Sequence, residues 1–270
     1  MSIEGLKQTK LLLIGETGDG KSSLGNFILK KNVFKVSDSD ESSTKYTGGY
    51  FGEGDRNDVF VVDTPCLIDG SGFNNKNIQI LLNVYCDNLK YIVKVISDGF
   101  PIKGVWKHIC IVWTKCYNCY SQNQIEKDKI EKKEFKEEII KFIKQTNRIN
   151  ENIDIPMCYV NSQPIEGCNN TKSEEEIKKL IKWARGLKPI DKEEISKLIS
   201  EYKKIIYEEK EERETIEETI LKRTYKITKY IRCKKVKNGG EVIYGESTEI
   251  CSRIITENKY NKEPSDCVVM

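Results

Sequence analysis

Apolar positions along this chain fall in short runs separated by longer amphipathic stretches. Lys10 to Ile14 is a brief continuous apolar run, and Ser23 to Lys31 resumes with apolar residues at helical spacing. A glycine-rich stretch lies between them, so the pattern predicts a buried strand, a turn and a helix. Residues 35–58 are rich in Ser, Asp, Gly and Thr and predict a long loop with one edge strand, "KYTGGYF". Val59 to Val62 predicts a second strand, ended by "DTP"; "HICIVWT" at 108–114 predicts a third and "PMCYVNS" at 156–162 a fourth. Ile125 to Gln145 sets Ile and Phe at helical spacing among Lys/Glu pairs, and Glu174 to Leu187 is a second such helix. Strands alternating with helices predict an α/β fold with a mostly parallel central sheet between helical layers, a three-layer sandwich.

The pattern changes after about residue 190. Ile195, Leu198, Ile199, Tyr202, Ile205 and Ile206 form a stripe on a predicted helix starting at Asp191, with Asp191 as N-cap and Glu194 as its capping-box partner. "YEEKEERETIEE" then reads as a solvated helical face. After Thr224 two β-rich runs flank "NGG", which predicts a β-hairpin over 225–256. The expected organisation is a nucleotide-binding domain at 8–188, a helical and β-hairpin extension at 189–256, and a flexible tail at 257–270.

Composition narrows the function classes. Among 270 residues, 45 basic side chains against 42 acidic ones leave no basic stripe for nucleic acid, and none is expected as a partner. A single histidine, His108, is too few for a histidine-based triad or a multi-histidine metal site. Ten cysteines in a long chain with a polar N-terminal stretch read as free thiols in a reducing cytoplasm. No apolar run approaches the ~20 residues that span a bilayer.

The glycine-rich stretch carries the chemistry. Gly15, Glu16, Thr17, Gly18, Asp19, Gly20, Lys21 and Ser22 fit G-x-x-x-x-G-K-[ST] in full, between a predicted strand and a predicted helix, with Ser23 next in line. In such a loop the glycines let backbone N–H groups turn in on phosphate oxygens, the lysine reaches the β- and γ-phosphates, and the serine holds Mg2+. The helix adds its positive N-terminal end. Asp63, at the end of the second strand, is placed to hold the same Mg2+ through water.

"GETGDGKSSLGN" together with "VVDTP" resembles the avirulence-induced-gene, immunity-associated family of G domains, over roughly residues 8–187. The "GKSSLGN" segment is characteristic of that family. The resemblance implies a P-loop GTPase-like fold binding GTP or GDP with Mg2+. It implies switch residues Thr44 (Thr47 being the alternative), Asp63, Thr64, Pro65 and Cys66, and a metal set of Ser22, Thr44 and Asp63. "CIVWTKCY" stands where the family reads the base, giving Thr114, Lys115 and Tyr117. "CYVNS" stands at the last nucleotide-contacting loop, giving Asn161 and Ser162. It further implies slow or assisted hydrolysis and nucleotide-dependent homodimers.

Three departures stand out. Cys66 replaces the glycine after "DTP"; Leu67 stands where many small GTPases orient water with glutamine; Tyr117 stands where an aspartate would grip guanine. In addition, the 41 residues from Leu67 to Lys107 barely hold a helix, a strand and a helix. The strand candidate is Tyr91 to Ile96, "YIVKVI", which lysine interrupts and which fits a helix equally.

The cysteine pair Cys116 and Cys119 has no second pair at zinc-site spacing and reads as coincidence. Cys267-Val268-Val269-Met270 is a C-a-a-X sequence of the farnesyl type, so Cys267 is the expected lipidation site and the cytoplasmic face of a membrane the expected location. The readings left open are a membrane-tethered switch or scaffold, a true hydrolase, a pseudo-GTPase interaction module, and an adenine-nucleotide P-loop protein.

Overall fold

The computed structural model describes residues 8–15, 18–36, 47–64, 80–82, 89–102, 104–116, 122–163 and 169–258. β1 (Thr9–Ile14), α1 (Lys21–Leu29), β2 (Gly48–Phe51), β3 (Val59–Asp63), β4 (Ile80–Leu82), α2 (Leu89–Gly99), β5 (Ile109–Trp113), α3 (Gln122–Asn147), β6 (Met157–Tyr159) and α4 (Thr171–Gly186) follow in chain order. Six strands form one sheet in the order β2-β3-β1-β4-β5-β6, parallel throughout except for β2.

Strand alternation sorts the core into two clusters, one on each face. Leu12, Ile14, Ile109, Ile111 and Trp113 pack with Ile92 and Ile96 of α2 and Ile139 and Ile143 of α3. Leu11, Leu13, Cys110 and Val112 pack with Leu24 and Ile28 of α1 and Ile177 and Leu180 of α4. The expected three-layer α/β sandwich is therefore present, with Trp106 and Trp113 in its core.

The central strand is not where the pattern suggested. Tyr91 to Ile96 lies within helix α2, and the strand between β1 and β5 is β4, Ile80–Leu82, paired with Leu12 to Ile14 on one side and Ile109 to Ile111 on the other. Residues 91–96 of α2 are all buried because the helix is covered on two sides, which gives it the near-continuous apolar run of a buried strand.

The C-terminal region also departs from expectation. α5 (Lys192–Glu201) starts where predicted, with Asp191 Oδ1 accepting from the Glu193 N–H at 2.8 Å. It stops at Glu201, and the acidic stretch is β7 (Tyr202–Glu218), paired antiparallel with β8 (Lys222–Lys237). The "NGG" turn holds as read, joining β8 to β9 (Val242–Tyr244), with Gly240 at φ 86°. β10 (Thr248–Asn258) pairs with the other half of β8. This sheet docks on α2, where Tyr207, Ile231 and Ile250 pack against Tyr91 and Val95, and the Tyr207 hydroxyl donates to the Val95 carbonyl at 3.2 Å.

Candidate functional site

The predicted nucleotide residues among those described gather at the C-terminal edge of the parallel sheet, the place where open α/β sheets take ligands. β1 ends at Ile14 and the chain turns through the glycine-rich loop into α1. Gly18 and Gly20 stand at φ 86° and 80°, a region only glycine enters at no cost. Gly20 is the N-cap of α1; it supplies no side-chain cap, and the first turn holds no acidic residue. The first N–H groups of α1 and its positive end are thus set up for an anion. Lys21 and Asp19 are buried in the loop.

The loop and the start of α1 are tied to the ends of β3 and β5, and β3 in turn to β1. Ser22 Oγ donates to Asp63 Oδ2 at 2.6 Å, joining the loop serine to the end of β3. Thr64 Oγ1 donates to the Leu13 carbonyl at 2.7 Å, fixing that strand end to β1. Thr114 Oγ1, just past β5, donates to the Asp19 carbonyl at 2.8 Å, so the first residue of the base-reading stretch buttresses the phosphate loop. Lys115 follows at φ 55°.

The last loop is organised around buried Asn161. Its N–H donates to Ser173 Oγ at 2.9 Å, its carbonyl accepts from Asn170 Nδ2 at 2.8 Å, and its Oδ1 accepts from the Gln163 N–H at 3.3 Å. Gln163 Nε2 in turn donates to Ser23 Oγ at 3.3 Å, linking this loop to α1; Ser162 lies between them. Gln163 was not singled out in the sequence; its only signal is adjacency to "NS". Glu16, Thr17, Thr44, Pro65, Cys66, Leu67, Tyr117, Cys119 and Cys267 lie outside the described residues.

The "SSLGN" segment works through packing. Asn26 Oδ1 accepts from the Val33 and Phe34 N–H groups at 3.0 and 2.8 Å, and its Nδ2 donates to the Phe34 carbonyl at 2.8 Å. A Cβ on Gly25 would lie 2.7 Å from the Phe34 ring. The segment therefore locks the chain leaving α1 against that helix. Arg56, also unmarked by the sequence, is 1% exposed; it donates to the Phe27 and Ile28 carbonyls at 2.9 and 2.8 Å and pairs with Glu174. It satisfies carbonyls at the C-terminal end of α1 and ties that end to α4.

Cys116 is no metal or redox thiolate candidate. Its thiol donates to the Trp113 carbonyl at 3.4 Å, and burial pushes its pKa up despite Lys132 nearby. Among the described residues no group of three His, Cys, Asp or Glu could hold a metal ion. An ion of the Mg2+ kind needs no such cage. It takes hard oxygens from one or two side chains and completes its shell with water and phosphate, which the hydroxyl of Ser22 and the carboxylate of Asp63 fit.

Against known proteins, residues 9–98 match the model of the AIG1 family. Over that stretch the chain is similar to the AIG1 family. GTPase IMAP family member 8 of Mus musculus is 28% identical over 162 residues, 52% of this chain and 23% of the relative. The Homo sapiens protein of the same name is 30% identical over 128 residues, 41% of this chain and 19% of the relative. The chain thus spans less than a quarter of the length of these curated relatives.

Toc33 from Arabidopsis thaliana, solved in complex with GDP and Mg2+, superposes with a TM-score of 0.50 at 18% identity, covering 68% of this chain and 88% of that one. A dimerization-deficient mutant of Toc33 gives 0.51 at 18% identity over the same shares. The α/β domain has the fold of a P-loop GTPase.

Proposed function

We propose that this AIG1-type chain binds GTP with Mg2+ and works as a membrane-tethered, nucleotide-dependent switch or scaffold, hydrolysing GTP slowly or with help in trans. The observation that carries the reading is the 2.6 Å contact between Ser22 and Asp63, which joins two of the three predicted metal-holding side chains across separate elements. Lys21, Ser22 and Asp63 would hold the phosphates and the ion, and Thr44 belongs to the same set by resemblance. Bound Mg2+ would neutralise charge on the phosphates. The Toc33 complex with GDP and Mg2+ supports the nucleotide. Dimerization is important for the GTPase activity of the chloroplast translocon components Toc33 and Toc159, which supports self-association here. Cys267 would carry a farnesyl group that holds the chain to a cytoplasmic membrane face.

A pseudo-GTPase is the second reading. Cys66 and Tyr117 favour it, whereas the central strand, whose loss would also favour it, is in place as β4. Equilibrium titration with labelled GTP and ATP in Mg2+ separates the readings. Saturable GTP binding that Lys21→Ala abolishes is expected. No saturable binding of either nucleotide leaves the pseudo-GTPase, and tighter ATP binding leaves an adenine-nucleotide protein.

A further inference from the structure

The three most exposed large apolar side chains among the described residues lie toward one end of one sheet. Ile220 and Leu221 are 80% and 62% exposed at the centre of the β7–β8 turn, and Ile254 is 69% exposed on β10, opposite Lys226. Ile216 stands beside them, also exposed. The turn is closed by its own bonds: the Thr219 N–H donates to the Lys222 carbonyl at 2.8 Å, and Thr219 Oγ1 accepts from the Lys222 N–H at 3.0 Å. Its two central side chains are therefore held outward by a formed turn. The α2 contact sits well back from this tip, near the middle of β7 and β8, at Tyr207 and Ile231. From Glu209, opposite Ile231, strand β7 runs to Glu218, about 30 Å at strand rise.

Resting on the membrane tether proposed above, we infer that this tip is a second membrane contact, with Ile220 and Leu221 entering the interfacial layer of a lipid bilayer. Three observations select lipid. A turn this small cannot supply the roughly 800 Å2 per partner that a stable protein interface needs. The charges around it balance, with Glu217, Glu218 and Glu257 against Lys222, Arg223 and Lys226, so apolar insertion and not counter-charge attraction is the driving term. β10 ends at Asn258, opposite Lys222, and Cys267 follows nine residues later, within about 30 Å of chain. The segment that leads to the expected lipidation site therefore leaves the sheet at the turn's end. One prenyl chain binds a membrane only marginally, and stable anchoring takes a second signal.

The test is flotation of the full chain with phosphatidylcholine vesicles, with and without phosphatidylserine, using farnesylated and unfarnesylated protein. Ile220→Asp combined with Leu221→Asp should lower partitioning roughly 10- to 100-fold in both forms. Added salt and phosphatidylserine should change wild-type partitioning little. A Leu221→Trp chain should show a blue-shifted emission with vesicles. Unchanged melting of the double variant rules out unfolding as the cause. Partitioning unaffected by the double substitution, with no blue shift at position 221, overturns the inference while leaving any Cys267→Ser effect intact. Loss of self-association in place of lost partitioning overturns it too, in favour of a second copy. Conversely, if Cys267→Ser changes nothing and the tip variant still leaves the vesicles, the farnesyl tether fails and the tip contact stands.

Discussion

Gly25→Ala tests whether "SSLGN" is a packing device. Gly25 lies inside α1, where alanine is the better helix former by about 1 kcal/mol. The same Cβ would stand 2.7 and 2.8 Å from two ring carbons of Phe34 and 3.3 Å from Leu13 Cδ1. The ring has little room to retreat. Asn26 holds the Phe34 backbone at both N–H and carbonyl, and the ring packs edge-on to Tyr50 with centroids 5.4 Å apart. Overpacking of this kind costs about 1–3 kcal/mol. The single substitution should therefore be neutral or destabilising by up to about 2 kcal/mol. In a Phe34→Leu background the clash goes and the helix gain remains, so the sign reverses and Gly25→Ala stabilises by about 1 kcal/mol. Urea unfolding of the four proteins gives the coupling energy directly. A Gly25→Ala chain that gains its full helix increment in the native background, with coupling near zero, would refute the packing account.

Four further outcomes are expected. Arg56→Met should cost about 3–5 kcal/mol in urea unfolding, because it strands the buried carbonyls of Phe27 and Ile28 and the Glu174 carboxylate, and Arg56→Lys should recover little of this. Asp63→Asn should weaken GTP binding about 10- to 100-fold in Mg2+ and far less in EDTA, read by titration. His108 has its pKa lowered by burial, and its Nδ1 has no hydrogen-bond partner. Below its ordinary value of 6.5 the unfolded chain takes up a proton that the fold resists, so stability falls as pH drops through that value; His108→Gln should flatten this part of the stability–pH curve. Tyr207→Phe should cost about 0.5–1.5 kcal/mol by freeing the Val95 carbonyl, measured by thermal unfolding.

The parallel sheet was legible because both of its faces are covered, which writes its strands as apolar runs. Covering on two sides also made α2 resemble a strand, and drew attention from the three residues of β4. The misreading of β7 has a different cause. Its glutamates recur at a spacing of three, which suits a helix face, and Glu and Lys favour helices. In the fold Glu208, Glu211 and Glu214 stand directly opposite Arg232, Lys229 and Lys226 of β8, and Glu218 opposite Arg223. Opposite charges in register across strands contribute about 0.2–1 kcal/mol each, so the acidic run is complementary to the basic strand that follows it. That match is visible only when both stretches are read together. At the site, the phosphate loop and Asp63 were legible because backbone geometry and metal chemistry restrict which residues work there. Gln163 and Arg56 were not, since each acts through a contact distant in sequence.

One helix joins the two halves of this molecule. Ile92, Val93 and Ile96 of α2 fill the core beneath the parallel sheet, while Tyr91 and Val95 on its other side carry Tyr207, Ile231 and Ile250. Lys94 is also buried, its ammonium held by Asp98 at 3.0 Å. A helix packed on both sides cannot shift against one partner without disturbing the other, because close-packed interiors transmit displacement. α2 follows β4, which pairs Leu82 with Ile14, the last residue of β1 before the phosphate loop begins. Leu12 and Ile14 of β1 also share the core with Ile92 and Ile96, so packed side chains lead from the strand before that loop through α2 to the C-terminal sheet and its apolar turn. Contiguity is the condition for coupling and not its demonstration. It does fix the geometry in which coupling would act: the turn stands on a sheet seated on the helix that follows β4, so a change of nucleotide that moved α2 would re-aim the tip.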